Sequence, residues 1–148
     1  MKKIQKSLAI VNRDEKVISP SSRSPYYPFA VASGSGALLK DADGNDYIDF
    51  SAGAASLNTG TCHPRVVAAI KEQAEKLLCY TVVYMYEESS VELAEKLTSL
   101  TPGNFAKKVA YGLSGSDSIA GAIKFARKYP ERSEIITFQT AYHGCTYG

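Results

Sequence analysis

The sequence predicts an α/β fold, and three patterns carry that prediction. Residues 108–138 read as strand, Gly/Ser turn, helix and strand, the order of a βαβ unit. Two short apolar runs flank an Asp-Gly turn in Asp41-Ala-Asp-Gly-Asn-Asp46, as in a β-hairpin. Between these regions, two segments place apolar residues at helical spacing. The chain has 148 residues, 45% of them hydrophobic, which leaves room for one domain with a buried core.

In chain order, residues 1–15 predict a helix with Ile4, Leu8 and Val11 on one side. Residues 17–35 hold Pro20, Pro25 and Pro28 among serines and the aromatics Tyr26, Tyr27 and Phe29. Prolines at that density disfavour regular structure, so a surface loop is expected, with its aromatics packed locally or lining a pocket. Residues 37–40 and 47–50 are the hairpin arms. The carboxylates of the turn do not make an EF-hand, because Gly44 is fourth from Asp41 where that loop needs its glycine sixth.

The segment 65–78 predicts a helix that starts at Pro64 and carries Val66, Ile70, Ala74 and Leu77 on one face. A further helix spans 90–100, with a capping box in Ser89-Ser-Val-Glu92, a Leu93, Leu97, Leu100 stripe and a stop at Pro102-Gly103. The three tyrosines of 80–86 lie in an extended or irregular stretch. Strand 108–111 then breaks at Gly112-Leu-Ser-Gly-Ser116, and helix 117–129 follows with Ile119, Ala122, Ile123 and Ala126 on one face. Pro130 ends it, and residues 133–138 supply the second strand.

Charge excludes several classes of partner. Seventeen basic against 15 acidic side chains give a net charge of +2, too weak a field for nucleic acid or an anionic membrane. No apolar run approaches a membrane span. The run at 8–11 ends at Asn12-Arg13-Asp14, too short for a signal peptide, so a cytoplasmic protein is expected. Cys62, Cys79 and Cys145 are odd in number and fit no standard zinc spacing, which predicts reduced thiols.

The chemistry concentrates where the first strand of the βαβ unit meets its helix. The first N–H groups of a helix lack intrahelical partners and carry partial positive charge, so a Gly/Ser turn at that point suits an anion. Gly115 removes the Cβ that would obstruct a ligand, and Ser114 and Ser116 add hydroxyl donors. The same residues also read as an ordinary helix cap, with Ser116 or Asp117 as the capping residue, and the tetrapeptide alone leaves both readings open. A Walker A loop is excluded because no lysine follows Gly115, and the dinucleotide fingerprint is absent.

If the two strands are parallel, Tyr142-His143-Gly144 opens on the same sheet edge as the Ser-Gly-Ser turn. A phosphate cradle beside an aromatic ring and an imidazole suits a phosphorylated planar ligand on which Tyr142 stacks. The alternative is that Tyr142 and His143 only cover a strand end. Lys124 is the nearby lysine, and its place on an amphipathic helix makes it a solvated or locally paired side chain.

Four stretches in order resemble the N-terminal part of the class III aminotransferases, which are pyridoxal 5′-phosphate (PLP) enzymes of fold type I. They are Gly36-Ala-Leu-Leu-Lys-Asp-Ala-Asp-Gly-Asn-Asp-Tyr-Ile-Asp-Phe50, Cys62-His-Pro-Arg-Val-Val67 with Gln73, Ser114-Gly-Ser-Asp117 with Lys124-Phe-Ala-Arg127, and Tyr142-His-Gly144. The similarity runs from about Pro20 onward and is nearest to branched-chain amino-acid epimerases and 4-aminobutyrate-type aminotransferases. It implies a partial fold of that type: residues 1–50 belong to a small domain, and residues 51–148 begin the PLP-binding large domain. It also implies that Ser114, Gly115 and Ser116 hold the phosphate, that Tyr142 stacks on the ring, and that His143 lies beside it.

The resemblance further implies a homodimer acting on an amino acid or amine and a 2-oxo acid. An epimerase or racemase using the same cofactor is the second reading, and an inactive fragment or phosphate-ligand module the third. Three positions depart from the family pattern: Leu113 stands for a polar residue, Thr61 for a histidine, and Asp117-Ser118-Ile119-Ala120 for a run with two acidic residues. In the family the Schiff-base lysine and the acid that pairs with the ring nitrogen come after Tyr-His-Gly. These 148 residues are therefore expected to be part of a longer enzyme, to contain no catalytic residue and to be inactive alone.

Overall fold

The computed structural model describes residues 3–22, 25–81 and 83–146. The parts of the predicted 1–15 helix, 17–35 loop and 80–86 segment that fall at 1–2, 23–24 and 82 lie outside the described residues. The chain divides into two units, Met1–Tyr80 and Thr81–Gly148.

A buried carboxylate organises the first unit. Strands β1 (Val31–Ser35), β2 (Leu38–Asp41) and β3 (Asp46–Ile48) form an antiparallel sheet in the order β1-β2-β3. Asp41 ends β2 and is only 2% exposed. Its Oδ1 accepts the backbone N–H groups of Asp43 and Asn45 at 3.0 and 2.8 Å. Its Oδ2 accepts the Asn45 side-chain amide at 2.8 Å and the Tyr47 hydroxyl at 2.9 Å. Four donors make this burial tolerable, because a carboxylate in a dry site needs its lone pairs filled. Burial alone would raise the Asp41 pKa, but the Asn45, Tyr47 and Asp43 donors outweigh it and bring the value from 3.8 down to about 2. The turn closes through Gly44, whose N–H donates to the Asp41 carbonyl at 3.0 Å and whose φ of 89° favours glycine.

The predicted hairpin is present, and a third strand lies where a loop was expected. Val31–Ser35 pairs with β2, with an irregularity between Val31 and Ser33. Of the aromatics in the preceding segment, Phe29 stacks on Tyr47 at 4.4 Å and 2°, while Tyr26 and Tyr27 stay exposed.

The same turn caps a helix more than thirty residues away. Helix α1 (Gln5–Val17) has Ile4 at its N-cap position, with no side-chain cap of its own. Asp43 supplies one, accepting the N–H groups of Lys6 and Ser7 at 2.8 Å each, and Asn45 donates to the Lys3 carbonyl at 2.8 Å. A carboxylate at a helix amino end satisfies orphan donors and meets the positive end of the dipole. Burial pushes the Asp43 carboxyl up, and these backbone donors bring it below its usual range. The inner face of α1 is Ile4, Ser7, Val11 and Asp14, with Ser7 fully buried; Leu8, expected inside, is exposed.

After β3 the chain enters α2 (Ala52–Ala55), a single left-handed turn with Ala52, Gly53, Ala54 and Ala55 all at φ between 46° and 62°. Left-handed alanines cost roughly 1–2 kcal/mol each. Asp49 holds the entry by accepting the Ser51 and Ala52 N–H groups at 2.9 Å. Gly36 and Thr61 then exchange backbone hydrogen bonds at 2.9 Å, and a Cβ on Gly60 would fall 2.9 Å from the Gly36 Cα. Helix α3 (Pro64–Lys76) starts at Pro64 as predicted. Its Val66, Ile70 and Ala74 side chains line an open groove with Leu77 and Leu78.

In the second unit, helix α4 (Glu88–Leu100) begins two residues before the predicted start. The Glu87 carboxylate caps it by accepting the Ser89 and Ser90 N–H groups, in place of the expected Ser89 box. At the other end Lys107 Nζ donates to the Thr101 and Gly103 carbonyls at 2.7 and 2.6 Å, placing a cation at the negative end of the dipole. Tyr111 donates its hydroxyl to the Ser90 carbonyl, so residues 107–111 run back along α4 toward its start. Helix α5 (Gly115–Lys128) follows. Its buried apolar residue is Ala120, 4% exposed, whereas Ala122 and Ala126 of the predicted face are exposed.

Segments 108–111 and 133–138, predicted as strands, form no ladder among the described residues. Strand composition does not make a strand without a neighbouring chain to accept its hydrogen bonds. Among the described residues no helix is long and apolar enough to cross a membrane.

Two outcomes follow for the first unit. Because the folded pKa of Asp41 is depressed, its contribution is fully present above pH 3.8 and is lost as pH falls toward about 2. Tyrosine near-ultraviolet circular dichroism should report that loss, and Asp41→Asn should flatten it. Asp43→Ala should accelerate amide hydrogen exchange at Lys6 and Ser7 by about tenfold while leaving the β2–β3 amides protected.

Candidate functional site

The amino end of α5 is built by local chemistry. Ser114 is extended at φ −160° and its Oγ accepts the Asp117 N–H at 3.2 Å, so Ser114 is the cap. The sequence pointed instead to Ser116 or Asp117, with the helix starting at 117. The Asp117 carboxylate reaches back past the cap and accepts the Leu113 N–H at 3.0 Å, one residue earlier than in a capping box. Gly112 allows the entering chain to lie this close, because a Cβ there would stand 2.9 Å from the Ser118 hydroxyl.

This arrangement uses the Asp117 and Ser118 N–H groups, which donate to Ser114 Oγ and the Ser114 carbonyl. The N–H groups of Gly115 and Ser116, at the first two positions of the helix, meet no acceptor among the described residues. A Cβ built on Gly115 would meet nothing within 4 Å. Two open amides, clear space and the positive end of a fourteen-residue helix are chemically suited to an anion.

The second predicted loop lies against this helix end. Cys145 donates its N–H to Ser116 Oγ at 3.1 Å, and Thr146 donates its hydroxyl to the Ser116 carbonyl at 3.2 Å. Tyr142 is 79% exposed, and its hydroxyl is 2.9 Å from Cys145 Sγ. The Cys145 thiol, by hydrogen bond and by charge, raises the Tyr142 phenol above its ordinary value, with a smaller opposing pull from the Ser116 hydroxyl. Tyr142 therefore stays neutral through the physiological range.

His143 takes a different direction. Its Nε2 is 2.9 Å from the Thr137 hydroxyl, and the ring lines a cavity of about 280 Å³ with Ile119, Ile123 and Ile135 beneath α5. Of the five predicted site residues, Ser114, Gly115, Ser116 and Tyr142 thus gather at one helix end, while His143 anchors the loop from below. Lys124 is exposed on α5, about 13 Å along the helix from Gly115. Cys62, Cys79 and Cys145 are free thiols.

Residues 19–148 match the family model for aminotransferase class-III. The chain belongs to the class III aminotransferase family. It is 43% identical to the isoleucine 2-epimerase of Lentilactobacillus buchneri over 148 residues, all of this chain and 33% of that protein. It is 42% identical to a probable 4-aminobutyrate aminotransferase of Bacillus subtilis over 113 residues, 76% of this chain and 26% of that one. A solved structure described as a transaminase with PLP bound superposes with a TM-score of 0.85 at 32% identity, over 99% of this chain and 34% of its own. The chain thus spans between a quarter and a third of the length of these class III relatives.

Cys145 and Thr146 are site-adjacent residues that sequence reasoning did not select. Their bonds to Ser116 cross 29 and 30 residues and have no periodic signature. The cap assignment has a direct check. Ser114→Ala should cost on the order of 1 kcal/mol and speed exchange of the Asp117 amide, whereas Ser116→Ala should leave that amide protected.

Proposed function

We propose that this chain binds PLP between the amino end of α5 and Tyr142, and that the full-length protein transfers an amino group between an amino acid or amine and a 2-oxo acid. The observation that carries this reading is the pair of hydrogen bonds from Cys145 and Thr146 to Ser116, which bring the aromatic loop to the open amides.

The residues present fit the cofactor. The Gly115 and Ser116 N–H groups would donate to phosphate oxygens, and the open space at Gly115 admits them. The Ser114 hydroxyl accepts one backbone N–H and retains its own proton to donate, and the Ser116 hydroxyl accepts the Cys145 N–H. A neutral, exposed Tyr142 offers a ring face for stacking. His143, held by Thr137, supports the loop from beneath. When bound, PLP supplies an electron sink for bonds at the amino-bearing carbon of a substrate. The part of these residues is to bind and orient it, and none of them is assigned to proton transfer.

The reading extends to a cytoplasmic homodimer, with residues 1–50 in a small domain and 51–148 opening the PLP-binding domain. Family membership supports these assignments. A second reading, epimerisation, keeps the same binding residues and returns the proton to the opposite face of the substrate carbon. Identity of 43% over all 148 residues to an isoleucine 2-epimerase favours it.

Full-length protein incubated with PLP should develop a visible absorbance band distinct from that of free PLP. Supplied with a branched-chain L-amino acid and a 2-oxo acid, a transaminase consumes both. An epimerase changes the optical rotation while leaving the 2-oxo acid untouched. Absence of any PLP-dependent absorbance change would overturn both readings.

A further inference from the structure

Ser116 joins two loops that are distant in sequence. Its hydroxyl accepts the Cys145 N–H at 3.1 Å and its carbonyl accepts the Thr146 hydroxyl at 3.2 Å. Between these bonds and Tyr142 sits Gly144, where two separate constraints exclude a side chain. Its φ is 108°, a region that L side chains rarely adopt. A Cβ built there would lie 2.6 Å from both Cα and Cβ of Ser116. The Cα belongs to a helix backbone and cannot turn aside, so the loop approaches α5 this closely only through glycine.

On the PLP reading above, we propose that Gly144 and Thr146 are positioning residues that set the Tyr142 ring at a fixed offset from the phosphate-binding amides, using Ser116 as the common reference. The ring needs such a device because the 2.9 Å contact of its hydroxyl with Cys145 Sγ is made within the same loop. Tyr142 is 79% exposed, so packing leaves its position open. Hydrogen bonds on either side hold the loop instead, His143 Nε2 with the Thr137 hydroxyl on one side and the Cys145 N–H and Thr146 hydroxyl with Ser116 on the other. Ser116 also contributes one of the open N–H groups. A displacement of the loop therefore changes the distance between ring cover and phosphate hold directly.

Stacking is sensitive to such a shift, since a gap of 0.5–1 Å forfeits a quarter to a half of the contact energy, roughly. Binding geometry held to within about 0.5 Å requires support of this kind from residues outside the direct contacts.

The test uses full-length protein titrated with PLP, and with pyridoxal, which lacks the phosphate. Affinity is read by absorbance and ring orientation by the induced circular dichroism of the bound cofactor. Thr146→Val keeps the shape and removes the donor; it should weaken PLP binding about three- to tenfold and reduce the induced signal per bound cofactor. Thr146→Ser restores the donor and should return both quantities to within about twofold of the unmodified protein. Gly144→Ala should produce the larger loss in both.

A residue serving stability alone would lower the melting temperature without changing the induced signal per bound cofactor, and that result would overturn the proposal. Unchanged affinity and signal in Thr146→Val would overturn it as well, while leaving the PLP reading standing. Failure of the unmodified protein to take up PLP, or equal affinity for PLP and pyridoxal, would remove the phosphate-site reading and this inference with it.

Discussion

Helix α5 begins with its first-turn amides only half used, and the second unit is arranged around that fact. Ser114 accepts the Asp117 N–H and Asp117 accepts the Leu113 N–H, which ties the helix start down without filling it. Gly112 brings the incoming chain against the first turn, and Gly144 brings the returning chain against the same turn. A methyl group at Gly144 would meet the helix backbone 2.6 Å from the Ser116 Cα, whereas one at Gly112 would stand 2.9 Å from the Ser118 hydroxyl, which can turn aside. The result is an electropositive point with clear space in front and an aromatic side chain tied alongside.

The first unit solves a related problem with the opposite charge. Asp41 places a carboxylate beneath the hairpin and fills it with four donors, and the turn so formed presents Asp43 to the amino end of α1. In both units, side-chain oxygens bonded to backbone N–H groups fix the geometry over long sequence separations. Apolar burial contributes less within this chain: Ala120 is the buried hydrophobic residue among those described, while Leu113, Ile136 and Phe138 stand almost wholly exposed.

What was legible in the sequence divides along the same line. The Asp-Gly hairpin, the start of α3 at Pro64 and the location of the Ser-Gly-Ser turn depend on neighbours in the chain, and each is where the sequence put it. Features set by distant partners were not legible. Strand β1 was hidden because Pro20, Pro25 and Pro28 dominate the preceding stretch, while the pairing of Val31–Ser35 is imposed by β2. Residues 108–111 and 133–138 have strand composition, but a ladder is a property of two chains. The caps illustrate the limit at single-residue scale. Serine is the better statistical cap, yet Glu87 precedes α4 and its longer carboxylate reaches two N–H groups at once. On α1, weighting large apolar residues pointed to Leu8, whereas close approach selected the small Ser7; on α5, periodicity pointed to Ala122 and Ala126, whereas Ala120 is the alanine buried.

The attachment of α1 carries a thermal consequence. The residue it buries completely is Ser7, and its amino end is held by two amide-to-carboxylate bonds. Contacts between apolar surfaces weaken on cooling because their driving force is tied to a large heat-capacity change. Amide–carboxylate bonds do not draw on that driving force, and polar hydration carries a heat-capacity change of the opposite sign. In the cold, α1 should remain seated on the hairpin turn after apolar contacts elsewhere in the chain have begun to loosen.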